Sequence, residues 1–454
     1  MFHLYNPYDN SLVSKIPYST KGEVLQALQE LELQKLPQRK ITKLKRKEIL
    51  NQLAQLLLRD KKIIASQITS DMGKPISESL LEVERGINTI NLSAEECLRL
   101  NGEILYGHNP SNPKIEKKCL TEFVPLGLIL CLTPFNFPIN LALHKIAPAF
   151  ATGNVIFFKP HPQTFLTSQI LFHLCIEAGF PQDSIKLLLP DNDLLSEMID
   201  HSSINCFSFT GGQKTANLLS KKITLKKQIY ELGGNDPLIL CADGDCELAV
   251  QATINHRVGN AGQRCNAAKI IYVHENHYEH FKKLLVTKLS LLKIGDPLAA
   301  DTQLGPLVNS SAADLVEKMI QDAILLGAKV LWGNKRVGNI IHPTVLENLQ
   351  SNCLLLKEEA FGPVIPLISF RNISEVIKQL KKSGFGLQAG LFTYNQQTIE
   401  EFQNECEVGT LLINEGPGFR AENFSFGGVK NSGFGREGIT YAMKEFSTLK
   451  NTIL

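Results

Sequence analysis

One of the ten cysteines in the 454 residues sits in a setting that suits chemistry. In Gly262-Gln263-Arg264-Cys265 a thiol follows a glycine and two polar residues, and the small residues Asn266, Ala267 and Ala268 come after it. A ligand can approach such a thiol closely. The adjacent Arg264 favours thiolate over thiol, whose ordinary pKa is about 8.5, and the thiolate is the nucleophile. The alternative is a buried free cysteine acting as a small core hydrophobe. Taken alone, the stretch supports both.

Two other patterns invite chemical readings and fail on context. Gly433-Phe434-Gly435-Arg436-Glu437-Gly438 fits the dinucleotide pattern G-x-G-x-x-G, but only 16 residues follow it. A βαβ unit of roughly 30 residues is what gives that pattern meaning. His274, His277 and His280 could share a helix face and hold a metal, but no carboxylate triad or second histidine cluster accompanies them, so surface or structural roles are expected.

The elements that would position a nucleophile follow from texture. Residues 21–100 carry apolar side chains at helical spacing, including Val24, Leu25, Leu28, Leu31 and then Ile49, Leu50, Leu53, Leu56 and Leu57. The basic run from Arg39 to Lys47 reads as a solvated helix face. From residue 119 short apolar strands alternate with helical stretches. Strands are expected at 121–132, 155–159, 184–189, 206–209, 228–232 and 238–241, with helices over 163–178 and 212–220. A second set after Cys265 puts strands near 269–273, 329–331, 364–370, 390–393 and 409–413, with helices at 277–291, 312–326, 373–382 and 398–406. This alternation predicts an α/β fold with parallel sheets covered on both faces and a ligand cleft between two layers.

Composition excludes several functions. A formal charge of +2 from 47 basic and 45 acidic side chains argues against nucleic acid as a partner. The cysteines show no C-x-x-C pair, which suits reduced thiols in a cytoplasmic enzyme. No secretory signal opens the chain, and the apolar run 124–135 is too short to cross a membrane, which takes about 20 residues.

Polar or glycine-rich stretches recur where strands should end, the place open α/β sheets bind ligands. They are Pro134-Phe135-Asn136-Phe137-Pro138, Gly153-Asn154 through Lys159-Pro160, Phe209-Thr210-Gly211-Gly212, Glu231-Leu232-Gly233-Gly234-Asn235, and Glu358-Glu359-Ala360-Phe361-Gly362-Pro363. With Gly262 to Cys265 and Ser425-Phe426-Gly427-Gly428-Val429-Lys430-Asn431-Ser432-Gly433, their order and spacing resemble the aldehyde dehydrogenase superfamily from about residue 4 to 450. Gly234-Asn235-Asp236-Pro237 and the end of the rejected glycine motif look most like its lactaldehyde, phosphonoacetaldehyde and succinate-semialdehyde branches.

The resemblance implies a Rossmann-type NAD(P)-binding domain over residues 1–106 and 126–233, an α/β catalytic domain over 234–446, and a small β oligomerisation arm from 107–125 and 447–454. It further implies a homodimer or homotetramer in which the tail 444–454 pairs with another subunit. Cys265 would attack the aldehyde carbon. Asn136 would donate to the developing alkoxide, and Glu231 would activate water to release a carboxylic acid. Lys159 and Glu359 would contact the cofactor's two riboses, with Phe135 and Phe361 packing nearby and Gly211 and Gly212 opening a helix toward the pyrophosphate. Pro162 stands where the family often has a glutamate that repels a 2′-phosphate, which leaves NAD and NADP both open. His144, Arg264 and Arg420, with Arg85 more distant, form a candidate basic pocket for a small anionic aldehyde; ordinary ion pairing is the other reading. Relatives that transfer the acyl group to coenzyme A commonly lack the glutamate, and a non-catalytic relative has no need of Cys265, Glu231 and Asn136 together.

Overall fold

The computed structural model describes residues 1–454. Its first large sheet has the order Gly433–Phe434, Lys227–Glu231, Ile204–Thr210, Leu128–Leu132, Val155–Lys159, Ile185–Leu187, parallel except for the first strand. The central strand Leu128–Leu132 is buried at every residue, as a parallel strand covered on both faces must be. Its side chains alternate between two cores. Leu128, Leu130 and Leu132 meet Val24, Leu28 and Leu31 of the helix Lys21–Lys40. Ile129 and Cys131 join the core built by the helices Lys43–Arg59, Ile76–Arg99, Asn140–Ala151 and Phe165–Glu177. The helix Lys21–Lys40 starts where Thr20 and Glu23 form a reciprocal capping box.

The second sheet runs Lys329–Trp332, Thr344–Glu347, Val364–Phe370, Ile270–His274, Pro237–Leu240, Gln388–Phe392, Thr410–Ile413. All neighbours are parallel except the first pair. The predicted strand over 364–370 and helix over 373–382 match residue for residue.

Two expectations need correction. The strand expected over 121–132 is two strands, Asn112–Pro125 and Leu128–Leu132, because the chain leaves a separate antiparallel arm before entering the first sheet. Ser447–Ile453 of the tail lies antiparallel on Asn112–Pro125 of its own chain as an outer strand of the arm. And the end of the stretch expected in the catalytic domain returns to the first sheet. Gly433–Phe434 forms its antiparallel edge, while Ile439, Ala442, Met443 and Phe446 are buried in the first domain's core. The basic run is solvated at Arg39, Lys40, Lys43 and Lys45, but Arg46 turns inward and is buried.

Candidate active site

The strands of the first sheet deliver their C-terminal ends to one side of a cleft of about 840 Å³, within the range of small-molecule sites. Lys159 and Glu231 are the last residues of their strands, and Asn136 follows Leu128–Leu132 by four positions. The second domain brings Cys265, Glu359 and Phe361 to the same cleft. Asn136, Glu231, Cys265, Lys159, Gly211, Gly212, Phe135, Glu359 and Phe361 therefore all line one cavity.

Cys265 is presented by a tightly wound loop after the helix Cys246–Val258. Asn260, Ala261 and Gly262 have φ of 52°, 51° and 74°. Two of these left-handed residues carry side chains, an arrangement that costs on the order of 1 kcal/mol or more each and persists only where the surroundings impose it. Here they do. The Asn260 backbone N–H donates to Glu78 Oε1 at 3.0 Å, and its side-chain amide donates to the carbonyls of Asn136 at 3.1 Å and Gln263 at 3.3 Å. Gln263 Oε1 accepts from the N–H of Val308 at 3.0 Å. Gly262 must be glycine twice over: a Cβ there would lie 2.4 Å from the carbonyl oxygen of Gly362.

Burial pushes the Cys265 thiol up to about 12, and the cations that pull it back toward thiolate are Lys269 and Arg420. Lys269 also donates to the Cys265 carbonyl. Arg264, expected as the thiolate's partner, turns elsewhere: its Nη2 donates to Glu78 Oε2 at 3.1 Å and its guanidinium lies 5.7 Å from the Phe137 ring.

Asn136 Nδ2 donates to the Gln263 carbonyl at 2.9 Å, which fixes the amide and leaves its second hydrogen free. Glu231 is buried, and neither carboxyl oxygen has a hydrogen-bond partner. Burial, and then the nearby Glu437, hold this carboxyl well above the usual range; Arg420 and Lys145 oppose them.

On the cofactor side, the helix Gln213–Ser220 begins at Gly212 without a side-chain cap, so its first N–H groups are available to an anion. Phe135 and Phe361 meet edge to face at 6.0 Å. Glu359 pairs with Lys269 at 2.7 Å and fits against Gly233 so closely that a Cβ there would lie 1.7 Å from Glu359 Oε2. Burial lowers the Lys159 ammonium to about 8. Pro162 and His161 line the cleft beside it. An uncapped helix start, a lysine without a carboxylate partner and a glycine-walled cleft suit a dinucleotide.

The candidate substrate residues do not line this cleft. His144 Nε2 lies 2.6 Å from Glu422 Oε2, Arg85 Nε donates to Glu422 Oε1 at 2.8 Å, and Arg420 Nη2 donates to Glu437 Oε2 at 3.0 Å. Lys145 completes the group, donating to Glu437 at 2.9 Å and Ser208 Oγ at 3.0 Å. Arg85, Arg264 and Arg420 are thus ion-paired, and His144, whose pKa burial lowers, bonds to Glu422 as a buried imidazole. Sequence reasoning missed Lys145, Lys269, Asn260 and Glu437. The last lies inside the glycine motif rejected as a nucleotide fingerprint, which in the structure is an edge strand and turn. His274 caps the helix Glu275–Leu289, and His277 bonds the Ala242 carbonyl at 2.9 Å.

Comparison with known proteins agrees with this architecture over its full length. Residues 1–452 match the model of the aldehyde dehydrogenase family. The chain is 45% identical to a sulfoacetaldehyde dehydrogenase of Neptuniibacter caesariensis, covering 100% of this chain and 99% of the relative. It is 36% identical to a lactaldehyde dehydrogenase of Methanococcus aeolicus, covering 99% and 96%. Among solved structures, glyceraldehyde-3-phosphate dehydrogenase from Methanocaldococcus jannaschii complexed with NADP superposes with a TM-score of 0.96 at 35% identity, covering 100% of this chain and 99% of that one. With one cleft holding a thiol, an unpartnered carboxyl and a dinucleotide cradle, the chain belongs to the aldehyde dehydrogenase family and is an oxidoreductase that acts on an aldehyde with a nicotinamide cofactor.

Proposed function

We propose that the protein oxidises a small anionic aldehyde, of the sulfoacetaldehyde type, to its free carboxylic acid. What supports this is the 45% identity over the whole chain to a sulfoacetaldehyde dehydrogenase, together with two arginines that are only partly covered. Arg85 pairs with Glu422 and Arg264 with Glu78, while Lys145 and Arg420 are buried on Glu437. Arg85 and Arg264 also keep 30% and 20% of their side chains exposed, so each has N–H donors to offer an incoming anion. A guanidinium with a free donor favours a sulfonate, carboxylate or phosphate over a neutral aldehyde.

In this reading the Glu231 carboxylate takes the Cys265 proton as the sulfur adds to the carbonyl carbon, and the Asn136 side-chain amide with the N–H of Cys265 stabilises the alkoxide of the thiohemiacetal. A nicotinamide held in the cleft would supply the acceptor for the hydride whose loss leaves a thioester on Cys265. Glu231, having passed the thiol proton to solvent, then takes a proton from water as the water attacks the thioester; the Cys265 thiolate leaves, and that proton restores the thiol as the acid departs. An unpaired buried carboxyl held above its ordinary range is a stronger base than a solvated one, and no partner has to be displaced before it meets water. Lys159 would hold the adenosine ribose and Glu359 the nicotinamide ribose. With Pro162 in place of an acid, nothing at that position repels a 2′-phosphate.

Reduced nicotinamide is followed by absorbance with a panel of anionic and neutral two- and three-carbon aldehydes, with NAD and with NADP, and without coenzyme A. Anionic substrates are expected to lead in kcat/KM. Arg264→Ala is expected to lose at least tenfold for these and little for neutral aldehydes; equal losses, or a requirement for coenzyme A, overturn the reading.

A further inference from the structure

We infer that Lys74, held by Glu82, is the positioning residue that aims Asn136 at the reacting oxygen and locks it to the nucleophile loop; this rests on the reading of Asn136 as oxyanion donor. Lys74 lies in the short link between the helices Lys61–Met72 and Ile76–Arg99, far from Asn136 in sequence, and is completely buried. Its ammonium meets the Glu82 carboxylate, donates to the Asn136 carbonyl at 2.7 Å and lies 3.8 Å from the Phe137 ring centre.

Glu82 carries the clamp onward. Its Oε1 accepts the backbone N–H groups of Ile139 at 2.9 Å and Asn140 at 3.2 Å. These open the helix Asn140–Ala151, which has no side-chain cap of its own. A carboxylate at that place is favoured both by the unsatisfied N–H groups and by the helix dipole. The segment from Asn136 to Asn140 is therefore gripped at its first carbonyl and at its last two N–H groups by one buried ion pair.

The same carbonyl of Asn136 also accepts the Asn260 amide at 3.1 Å, and Asn136 Nδ2 returns a bond to Gln263 O at 2.9 Å. Asn260 and Gln263 belong to the loop that ends in Cys265. Donor and nucleophile, carried by different domains, are thus registered through one carbonyl that Lys74 fixes from behind. Desolvating two charges costs several kcal/mol per ion, and apolar residues of similar size often stabilise a fold better. What this pair supplies that an apolar pair cannot is a directed hydrogen bond to one carbonyl and a cap for one helix, which is a matter of placement.

The test is a double-mutant cycle at saturating cofactor and aldehyde. Lys74→Met alone leaves the Glu82 charge buried and unpaired, so it is combined with Glu82→Gln, which removes the charge and keeps an acceptor for Ile139 and Asn140. Against wild-type Asn136, Lys74→Met/Glu82→Gln is expected to lower kcat at least tenfold, with cofactor KM changed less than twofold. Asn136→Ala alone is expected to lower kcat by roughly 10²- to 10³-fold, as loss of one oxyanion donor does. In the Asn136→Ala background the Lys74/Glu82 change is expected to cost less than twofold, because the group it aims is gone. An equal tenfold loss in both backgrounds overturns the positioning role while leaving the oxyanion reading intact. Full kcat in Asn136→Ala overturns both.

Discussion

The resting state of the nucleophile can be measured directly. Burial sets the Cys265 thiol at about 12, so at pH 8 only about one molecule in 10⁴ carries the thiolate, against about one in four for an unperturbed thiol of pKa 8.5. Iodoacetamide reacts with the thiolate, so inactivation of the cofactor-free enzyme should be roughly a thousandfold slower than alkylation of a free thiol at pH 8. It should quicken about tenfold per pH unit from 7 to 10 without levelling off. Activity loss is the readout, because Cys119 and Cys406 are also partly exposed and total alkylation would include them. Lys269→Met removes the first of the two cations that favour the thiolate and should slow inactivation further at every pH. A plateau near pH 8.5 in the wild type would refute the argument: it would mean that the loop leaves the sulfur solvated or that Arg264 reaches it after all. The consequence for catalysis is that the thiol needs a base, and in the proposed reading that base would be Glu231, which lines the same cleft without a hydrogen-bond partner.

Three further tests concern the cofactor side. The Lys159 ammonium, lowered to about 8 by burial, is charged below that pH and neutral above it. The kcat/KM for cofactor, which reports the free enzyme, should therefore fall as pH rises through about 8, and Lys159→Arg should flatten the profile. Gly233→Ala would put a methyl 1.7 Å from Glu359 Oε2. Overpacking of this kind typically costs about 1–3 kcal/mol, so cofactor Kd from nicotinamide fluorescence should rise at least tenfold; an unchanged Kd would show that Glu359 does not hold the ribose. Pro162→Glu should lower kcat/KM for NADP by tenfold or more and change that for NAD little, measured with the best aldehyde of the panel.

Much of this protein is settled by local sequence. Parallel strands covered on both faces announce themselves as unbroken apolar runs, so Val155–Lys159 and Val364–Phe370 are legible to the residue. Polar and glycine-rich stretches at strand ends mark the cleft, and their resemblance in order and spacing to the aldehyde dehydrogenase superfamily singles out Cys265, Glu231, Asn136, Lys159 and Glu359, all of which line it. Cys265 alone could not be told from a core thiol. It became a candidate nucleophile only through the ordered set of motifs around it.

What the sequence could not decide is which charge meets which. Arg264 adjoins the thiol in the chain yet pairs with Glu78, 186 residues away, while Lys269, four residues on, folds back to the Cys265 carbonyl. Glu422 gathers Arg85 and His144, and Glu437 gathers Lys145 and Arg420, across separations of up to 337 residues. Local pattern carries periodicity, caps and turns because these depend on neighbours within a few residues. Ion pairs between distant segments depend on how two sheets and the returning strand Gly433–Phe434 close on one another, and burial of that closure is also what sets the pKa values of Cys265, Glu231 and Lys159. The residues that could do the chemistry were written in the sequence; their charges and partners were fixed only by the tertiary fold, since both depend on the removal of water.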